Sequence, residues 1–265
     1  MKALFTLTPA ESKRLIAKAT AVLPEVQAKM QQGTIIIGAG TTNAFVLEEL
    51  TGKPVDKARY TAGIIAEGRH CVTHPRDRLD PVVLTDGKPA DISWQDATDK
   101  LSAKDIVIKG GNAIDSTGTV GVQVGDPNGG TIGKALPIII ARGATLILPI
   151  GLEKLIPDVN RAAAISGIQK YDYSAGMFVG LMPVSYGKPI TEIEALKELA
   201  NVEATCISAG GIGGNEGSVT LAIEGPEEQV KRGFALIKSI LGEKPVPSLK
   251  KKCFECIAPC TYPSV

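Results

Sequence analysis

The sequence predicts an α/β protein, a parallel-sheet core followed by a smaller α+β lid. Three observations carry that expectation. Short β-branched apolar runs alternate with helical stretches through residue 175, which is the pattern of βαβ units. Glycine-rich turns follow two of those runs, Gly38-Ala39-Gly40 after Thr34–Ile37 and Gly110-Gly111 after Asp105–Ile108. From residue 176 the order changes to β-α-β-β-α, a split-βαβ unit. The expected division is 1–175 for the α/β ligand-binding domain, 176–245 for the lid and 246–265 for a cysteine-rich tail.

The elements follow in order. Thr8 caps a helix that begins at Pro9, and Glu11 completes a capping box. Leu15, Ile16, Ala19, Val22 and Leu23 fall at helical spacing; Pro24 breaks or kinks the helix, and a second piece runs to Met30. Thr34–Ile37 suits a strand buried on both faces of a parallel sheet. Gly38 and Gly40 turn the chain, and Thr41, Thr42 or Asn43 can cap the next helix. Such a unit points free N–H groups at an anion; it is also the geometry of an ordinary βα turn.

Thr61–Ala66 reads as a second buried strand. The loop at 67–78 holds both histidines, His70 and His74, with Cys71 and the arginines Arg69, Arg76 and Arg78. These residue types suit metal ligation, contact with an anionic substrate, or a plain polar loop. Pro81–Leu84 and the turn Asp86-Gly87 predict a strand and hairpin, and Ser93–Leu101 a short helix. Asp105–Ile108 is another buried strand, ending in Lys109-Gly110-Gly111-Asn112-Ala113-Ile114-Asp115. In a parallel sheet the carboxyl ends of strands line the ligand crevice. The alternative is a glycine turn whose Lys109 faces water.

Gly118–Gly125 is a glycine-interrupted apolar segment, Asp126–Gly130 a turn, and Thr131 caps a helix through Arg142. Thr145–Pro149 is one more strand. In the lid, Met177–Tyr186, Val202–Ala209 and Ser218–Ile223 read as strands, with helices at Ile190–Leu199 and Glu227–Leu241. The last helix sets Val230, Phe234, Ile237 and Ile240 on one face.

The bulk numbers narrow the function. The 265 residues suffice for one large domain or two smaller ones with a full core. Lys plus Arg total 29 against 28 for Asp plus Glu, which leaves no footprint for nucleic acid or an anionic membrane. No apolar run has the length of a membrane span, and Met1–Leu7 gives way at once to polar residues, so neither a membrane anchor nor a secretory signal is expected. The expectation is a cytoplasmic protein, with a homo-oligomer as an open assembly.

The tail carries Cys253-x2-Cys256-x3-Cys260, which resembles the last three cysteines of a ferredoxin-type run, although Thr261 and Tyr262 separate Cys260 from Pro263. Three thiolates leave a closed zinc or four-iron site one ligand short. Cys71, His70, His74 or a second subunit can supply the fourth. Zinc and an iron–sulfur cluster are the cofactors these residues bring forward; a tail of reducible thiols is the alternative.

In their order, the motifs resemble the type A ribose-5-phosphate isomerase family and, more broadly, its superfamily of sugar-phosphate isomerases and CoA-transferase-like proteins. The resemblance covers about residues 30–240. Gly38-Ala39-Gly40-Thr41-Thr42 is similar to that family's Gly-x-Gly-Thr-Gly-Ser-Thr loop. Lys109–Asp115 stands at the place of its Asp-Gly-Ala-Asp-Glu-Ile-Asp motif. Gly129-Gly130-Thr131-Ile132-Gly133-Lys134-Ala135-Leu136 is similar to its Gly-Gly-x-Leu-x-Arg-Glu-Lys helix start, and Asn215-Glu216-Gly217-Ser218 to the Asp-Asn-Gly-Asn turn of its lid. The resemblance implies a Rossmann-like core and a ferredoxin-like lid.

The departures bear on activity. Lys109, Asn112 and Ala135 stand where the family has its acid–base carboxylates, Asp115 alone is kept in the second motif, and Asp126 lies nearest the place of the family's lysine. Ribose 5-phosphate isomerisation by the family mechanism is therefore not expected. What survives is binding of a phosphorylated or other anionic small molecule by Gly38, Gly40, Thr41, Thr42, Asn43, Gly110, Gly111, Asn112, Gly129, Gly130, Thr131 and Lys134. Lys109 with Asp115 is one candidate catalytic set; Glu67, as a carboxylate nucleophile of the CoA-transferase kind, is another. Two functions compete: a metal or thiol-redox protein using Cys253, Cys256 and Cys260, and a non-catalytic regulatory protein.

Overall fold

The computed structural model describes residues 1–258, Cys260 and Thr261. The chain runs β1 (Lys2–Leu7), α1 (Pro9–Val22), α2 (Pro24–Gln31), β2 (Thr34–Ile37), α3 (Thr41–Thr51), β3 (Gly63–Ala66), β4 (Arg69–Val72), β5 (Val82–Thr85), β6 (Lys88–Pro89) and α4 (Trp94–Asp99). It continues through β7 (Ile106–Ile108), β8 (Ala113–Ile114), β9 (Val120–Val124), α5 (Gly130–Arg142), β10 (Thr145–Pro149) and α6 (Val159–Ile165). The last elements are β11 (Gly180–Val184), β12 (Lys188–Ile190), α7 (Glu192–Ala200), β13 (Glu203–Gly210), β14 (Ser218–Glu224) and α8 (Glu227–Ile240).

The central layer is a mixed six-stranded sheet in the order β12-β10-β7-β2-β5-β6. β12, β10, β7 and β2 are parallel, while β5 and β6 are antiparallel additions. β2 therefore has one parallel neighbour and one antiparallel one. Its unbroken apolar run is explained by what covers the two faces. Ile35 and Ile37 join a core with α1, α3, α7 and α8, and Ile36 joins a second core with residues of α4 and α5 on the other side. A strand buried on both faces has no polar alternate positions to offer.

Local chemistry explains the element ends. The Glu11 N–H donates to the Thr8 hydroxyl at 3.3 Å, and the Thr8 N–H to the Glu11 carboxylate at 2.8 Å, closing the capping box of α1. Pro24 opens α2 as a new helix instead of kinking α1, since a first-turn proline gives up no intrahelical bond. Asp86 and Gly87 both take positive φ, 49° and 73°, as the two-residue turn between β5 and β6 requires.

One expectation is corrected. Thr61–Ala66 is not a buried strand of the main sheet. Its ordered part, β3, pairs only with β4 in a two-stranded hairpin, and Ile65 is 66% exposed. Glu67 and Gly68, both at positive φ, turn the chain back before it can enter the sheet. Residues 176–245 contribute to three different sheets. β11 lies antiparallel to β9 in the sheet β11-β9-β8, and β12 joins the central sheet beside β10. β13 and β14 form an antiparallel sheet that the N-terminal β1 completes. The result is an α/β protein whose central sheet is mostly parallel. Among the described residues, no helix is long and apolar enough to cross a membrane.

Candidate functional site

The glycine turn after β2 is pinned from below. The fully buried Tyr60 donates its hydroxyl to the Ile37 carbonyl at 2.6 Å, and its own carbonyl accepts the Gly40 N–H at 2.8 Å. Burial raises the Tyr60 phenol well above its usual range, so it stays a donor. Gly40, not Thr41, Thr42 or Asn43, is the N-cap of α3, and no side chain caps this helix. Those three residues form its first turn, where N–H groups lack intrahelical partners. The reason is visible at Asn43. Its amide folds back to donate to the Gly38 carbonyl at 2.7 Å and the Ile108 carbonyl at 3.4 Å, joining β2 to β7. Its Oδ1 is buried without a hydrogen-bond partner, on the side of Gly110.

β7 delivers Lys109. A Cβ on Gly38 would stand 2.8 Å from Lys109 Cδ, so Gly38 leaves the groove in which that side chain lies. Lys109 Nζ donates to the Gly110 carbonyl at 3.1 Å. Lys154, in the short 3-10 turn Leu152–Lys154 after β10, donates to the Gly111 carbonyl at 2.9 Å. The two ammonium groups thus flank the Gly110-Gly111 pair. Burial, with the nearby Lys154 charge adding to it, pushes Lys109 down to about 8. Burial lowers Lys154 as well, opposed by Glu153 and Glu192 and assisted by Lys13.

α5 begins the same way as α3. Gly129 is its N-cap, in the left-handed region at φ 78°, and no side chain caps it. Thr131 lies within the first turn and is not the cap that its sequence position suggests. Asp126 builds the preceding turn by accepting the Asn128 N–H at 2.7 Å.

These parts converge on one cavity of about 820 Å³. Gly40–Asn43, Lys109–Asn112 and Gly129–Thr131 line it, together with Lys134 and Lys154. Gly38 sits behind the wall, beneath Lys109. Lys134 is partly neutralised by Asp99, 2.8 Å away. Sequence reasoning missed Lys154. The available signal was its place just past the carboxyl end of β10, on the same edge as Lys109.

Asp115, Glu67 and the three tail cysteines are not among the residues that line the cavity. The Asp115 carboxylate accepts from the Thr117 hydroxyl at 2.6 Å, from the Thr117 and Thr119 N–H groups at 3.0 and 3.2 Å, and from the Val159 N–H at 3.0 Å. The Thr117 hydroxyl, then the Val159 N–H, hold it below the usual carboxylate range. It organises its own loop and does not face the cavity with Lys109. Glu67 occupies the exposed β3–β4 turn and pairs with Lys250 at 2.9 Å and Arg69 at 3.6 Å. Cys253 and Cys256 bracket a 3-10 turn of the tail, and neither they nor Cys260 are in disulfides. Among the described residues, no group of three His, Cys, Asp or Glu is placed to hold a metal ion.

A recess of about 980 Å³ lies beside α1 and α3. Three of its cations are already matched: Arg14 pairs with Glu48, Glu49 and Glu243, Lys57 with Glu48, and Lys18 with Glu49. It offers an anion far less than the cavity does. No protein-family model, curated protein or solved structure matches the chain.

Proposed function

We propose that the cavity binds a phosphorylated or otherwise anionic small molecule of the sugar-phosphate kind. One observation carries the proposal: two glycine-capped helix N-termini line the same space as two lysines that, among the described residues, are bonded only to backbone carbonyls. Each helix N-terminus contributes about half a positive charge and its unpartnered N–H groups. Lys109 and Lys154 can leave carbonyl oxygens for an anion without first breaking an ion pair. The unpartnered Asn43 Oδ1 is buried beside Gly110, so the turn carries a polar atom whose hydrogen bond is still unmade. The volume lies within the ordinary range for small-molecule sites.

The lining argues against ribose 5-phosphate isomerisation. Its carboxylates are Asp80 and Asp126, and Asp126 is engaged with its own turn. Positions 109, 112 and 135 supply a lysine, an asparagine and a buried alanine where the resembled family places carboxylates.

Titration calorimetry with inorganic phosphate and ribose 5-phosphate tests the proposal on wild type and Lys154→Met. A charge-assisted hydrogen bond contributes about 1.5–3 kcal/mol, so the variant is expected to bind at least about tenfold more weakly. Equal affinity in the two proteins would place the anion elsewhere. Rapid turnover of ribose 5-phosphate would refute the argument from the missing carboxylates.

A further inference from the structure

We propose that Cys71, Cys253, Cys256 and Cys260 together hold an iron–sulfur cluster of the four-iron class at the rim of the cavity. This inference uses none of the groups assigned to the anion, so the two stand or fall separately.

The tail is docked on the β3–β4 hairpin that carries Cys71. Lys250 Nζ meets the Glu67 carboxylate at 2.9 Å, and Lys251 Nζ meets Asp77 at 2.8 Å. Farther along, the Thr261 hydroxyl accepts the Ser174 N–H at 2.8 Å and donates to the Ser174 carbonyl at 3.1 Å. The stretch between these anchors holds all three tail cysteines. Ile257 and Ala258, from the same stretch, line the cavity along with Cys71.

The cysteines are disposed as ligands. The turn Cys253–Glu255, closed by the Cys256 N–H on the Cys253 carbonyl, brings Cys253 and Cys256 one 3-10 turn apart. The Ala258 N–H points at Cys256 Sγ at 3.4 Å, which fixes the direction of that side chain. Cys71 is 8% exposed and lies within electrostatic reach of Cys256, Cys253 and Cys260. Lys250, whose side chain is 9% exposed, interacts with both Cys253 and Cys71 and offers positive charge to a thiolate-rich centre. The fourth ligand is thereby chosen among the candidates. His74 already accepts the Arg76 N–H on Nδ1, and His70 points to the opposite side of β4 from Cys71.

The ligand set points to the class of metal centre. Four cysteines, three of them at the Cys253-x2-Cys256-x3-Cys260 spacing of a ferredoxin-type run, suit a four-iron cluster in which each thiolate holds its own iron. Zinc held by the same four cysteines is the competing outcome, and the metal analysis below separates the two. Cys206 lies apart on β13, with its thiol directed at the Ser208 carbonyl, and serves as the control.

The test is reconstitution of the full chain with ferrous iron and sulfide under anaerobic conditions, followed by metal and sulfide analysis and electron paramagnetic resonance of the reduced protein. Wild type and Cys206→Ser are expected to hold about four iron and about four sulfide per chain. Cys71→Ser, Cys253→Ser, Cys256→Ser and Cys260→Ser are each expected to lose iron or to change the resonance signal. Wild type with no iron, or with zinc in its place, would overturn the proposal. So would a Cys71→Ser variant with wild-type iron and an unchanged signal. Should Cys71→Ser fail to fold, mild oxidation of metal-free wild type decides the fourth ligand. Peptide mapping should find Cys71 joined to a tail cysteine, and no such crosslink would overturn the assignment.

Discussion

Replacing Lys109 by methionine should improve the stability of the empty protein and damage its ligand binding. The side chain keeps its length and apolar stem while the charge is removed. Lys109 is held at about 8 against an ordinary value of 10.5. At 1.36 kcal/mol per pH unit, that displacement amounts to about 3 kcal/mol, an upper bound because the ammonium keeps some contact with the cavity. The sign follows from the protons bound. Below about pH 8 the folded and unfolded states both carry the charge, and the folded state bears the full cost. Between about 8 and 10.5 only the unfolded state is protonated, so wild-type stability rises with pH and the cost fades. Thermal melts should therefore show Lys109→Met above wild type by several degrees at pH 7 and level with it near pH 10.5. Calorimetry at pH 7 should show phosphate affinity reduced by at least about tenfold. In wild type, affinity should also decline as pH rises through 8. A variant that melts lower than wild type at pH 7 and binds phosphate equally well would refute the placement of Lys109 as a desolvated, ligand-facing cation.

Glu192 is fully buried and raised to about 7, by burial first and the Glu153 charge second. Its Oε2 accepts the Leu152 N–H at 2.9 Å, an interaction that Glu192→Gln can keep. The variant should gain up to about 3 kcal/mol at pH 8, and the gain should vanish as pH falls from 7 through 4.5, where the glutamate is protonated in both states; urea titrations at pH 8 and 4.5 measure this. Asp115→Ala should cost about 3–5 kcal/mol in the same assay, because it strands buried donors, while phosphate affinity stays within about twofold. A large loss of affinity with stability intact would return Asp115 to the site. Gly111→Ala should cost about 1–3 kcal/mol, since its Cβ would fall 2.3 Å from Val120 Cγ1, and an unchanged midpoint would contradict that packing.

The fold was legible in the sequence where the signal was local. The Thr8–Glu11 capping box, the Asp86-Gly87 hairpin and the apolar run Thr34–Ile37 each act through neighbours a few residues away, and all three are present as expected. Pairing was far less legible. Nothing near Lys2–Leu7 indicates that it meets Ser218–Glu224, and Lys188–Ile190 is too short to announce that it adds to the central sheet. Thr61–Ala66 has strand composition, but the Glu67-Gly68 turn diverts it into a hairpin outside the main sheet. At the site, the glycine turns pointed to both helix N-termini, because glycine there reflects backbone geometry that sequence can carry. The placing of Asp115 and Glu67 away from the cavity was not legible for a common reason: a carboxylate near a strand end has no stated direction until the chain folds. Lys154 stayed hidden because its role depends on β10 lying beside β7, a contact between segments about forty residues apart.

The most direct test of the central claim is a crystal structure grown or soaked with saturating phosphate or a sugar phosphate. The account predicts the anion in the cavity, within hydrogen-bond reach of the N–H groups of Thr41–Asn43 or of Gly130–Ile132, with Lys109 Nζ turned from the Gly110 carbonyl toward it. A cavity without an anion under those conditions, or an anion seated only in the Arg14 recess, would contradict it.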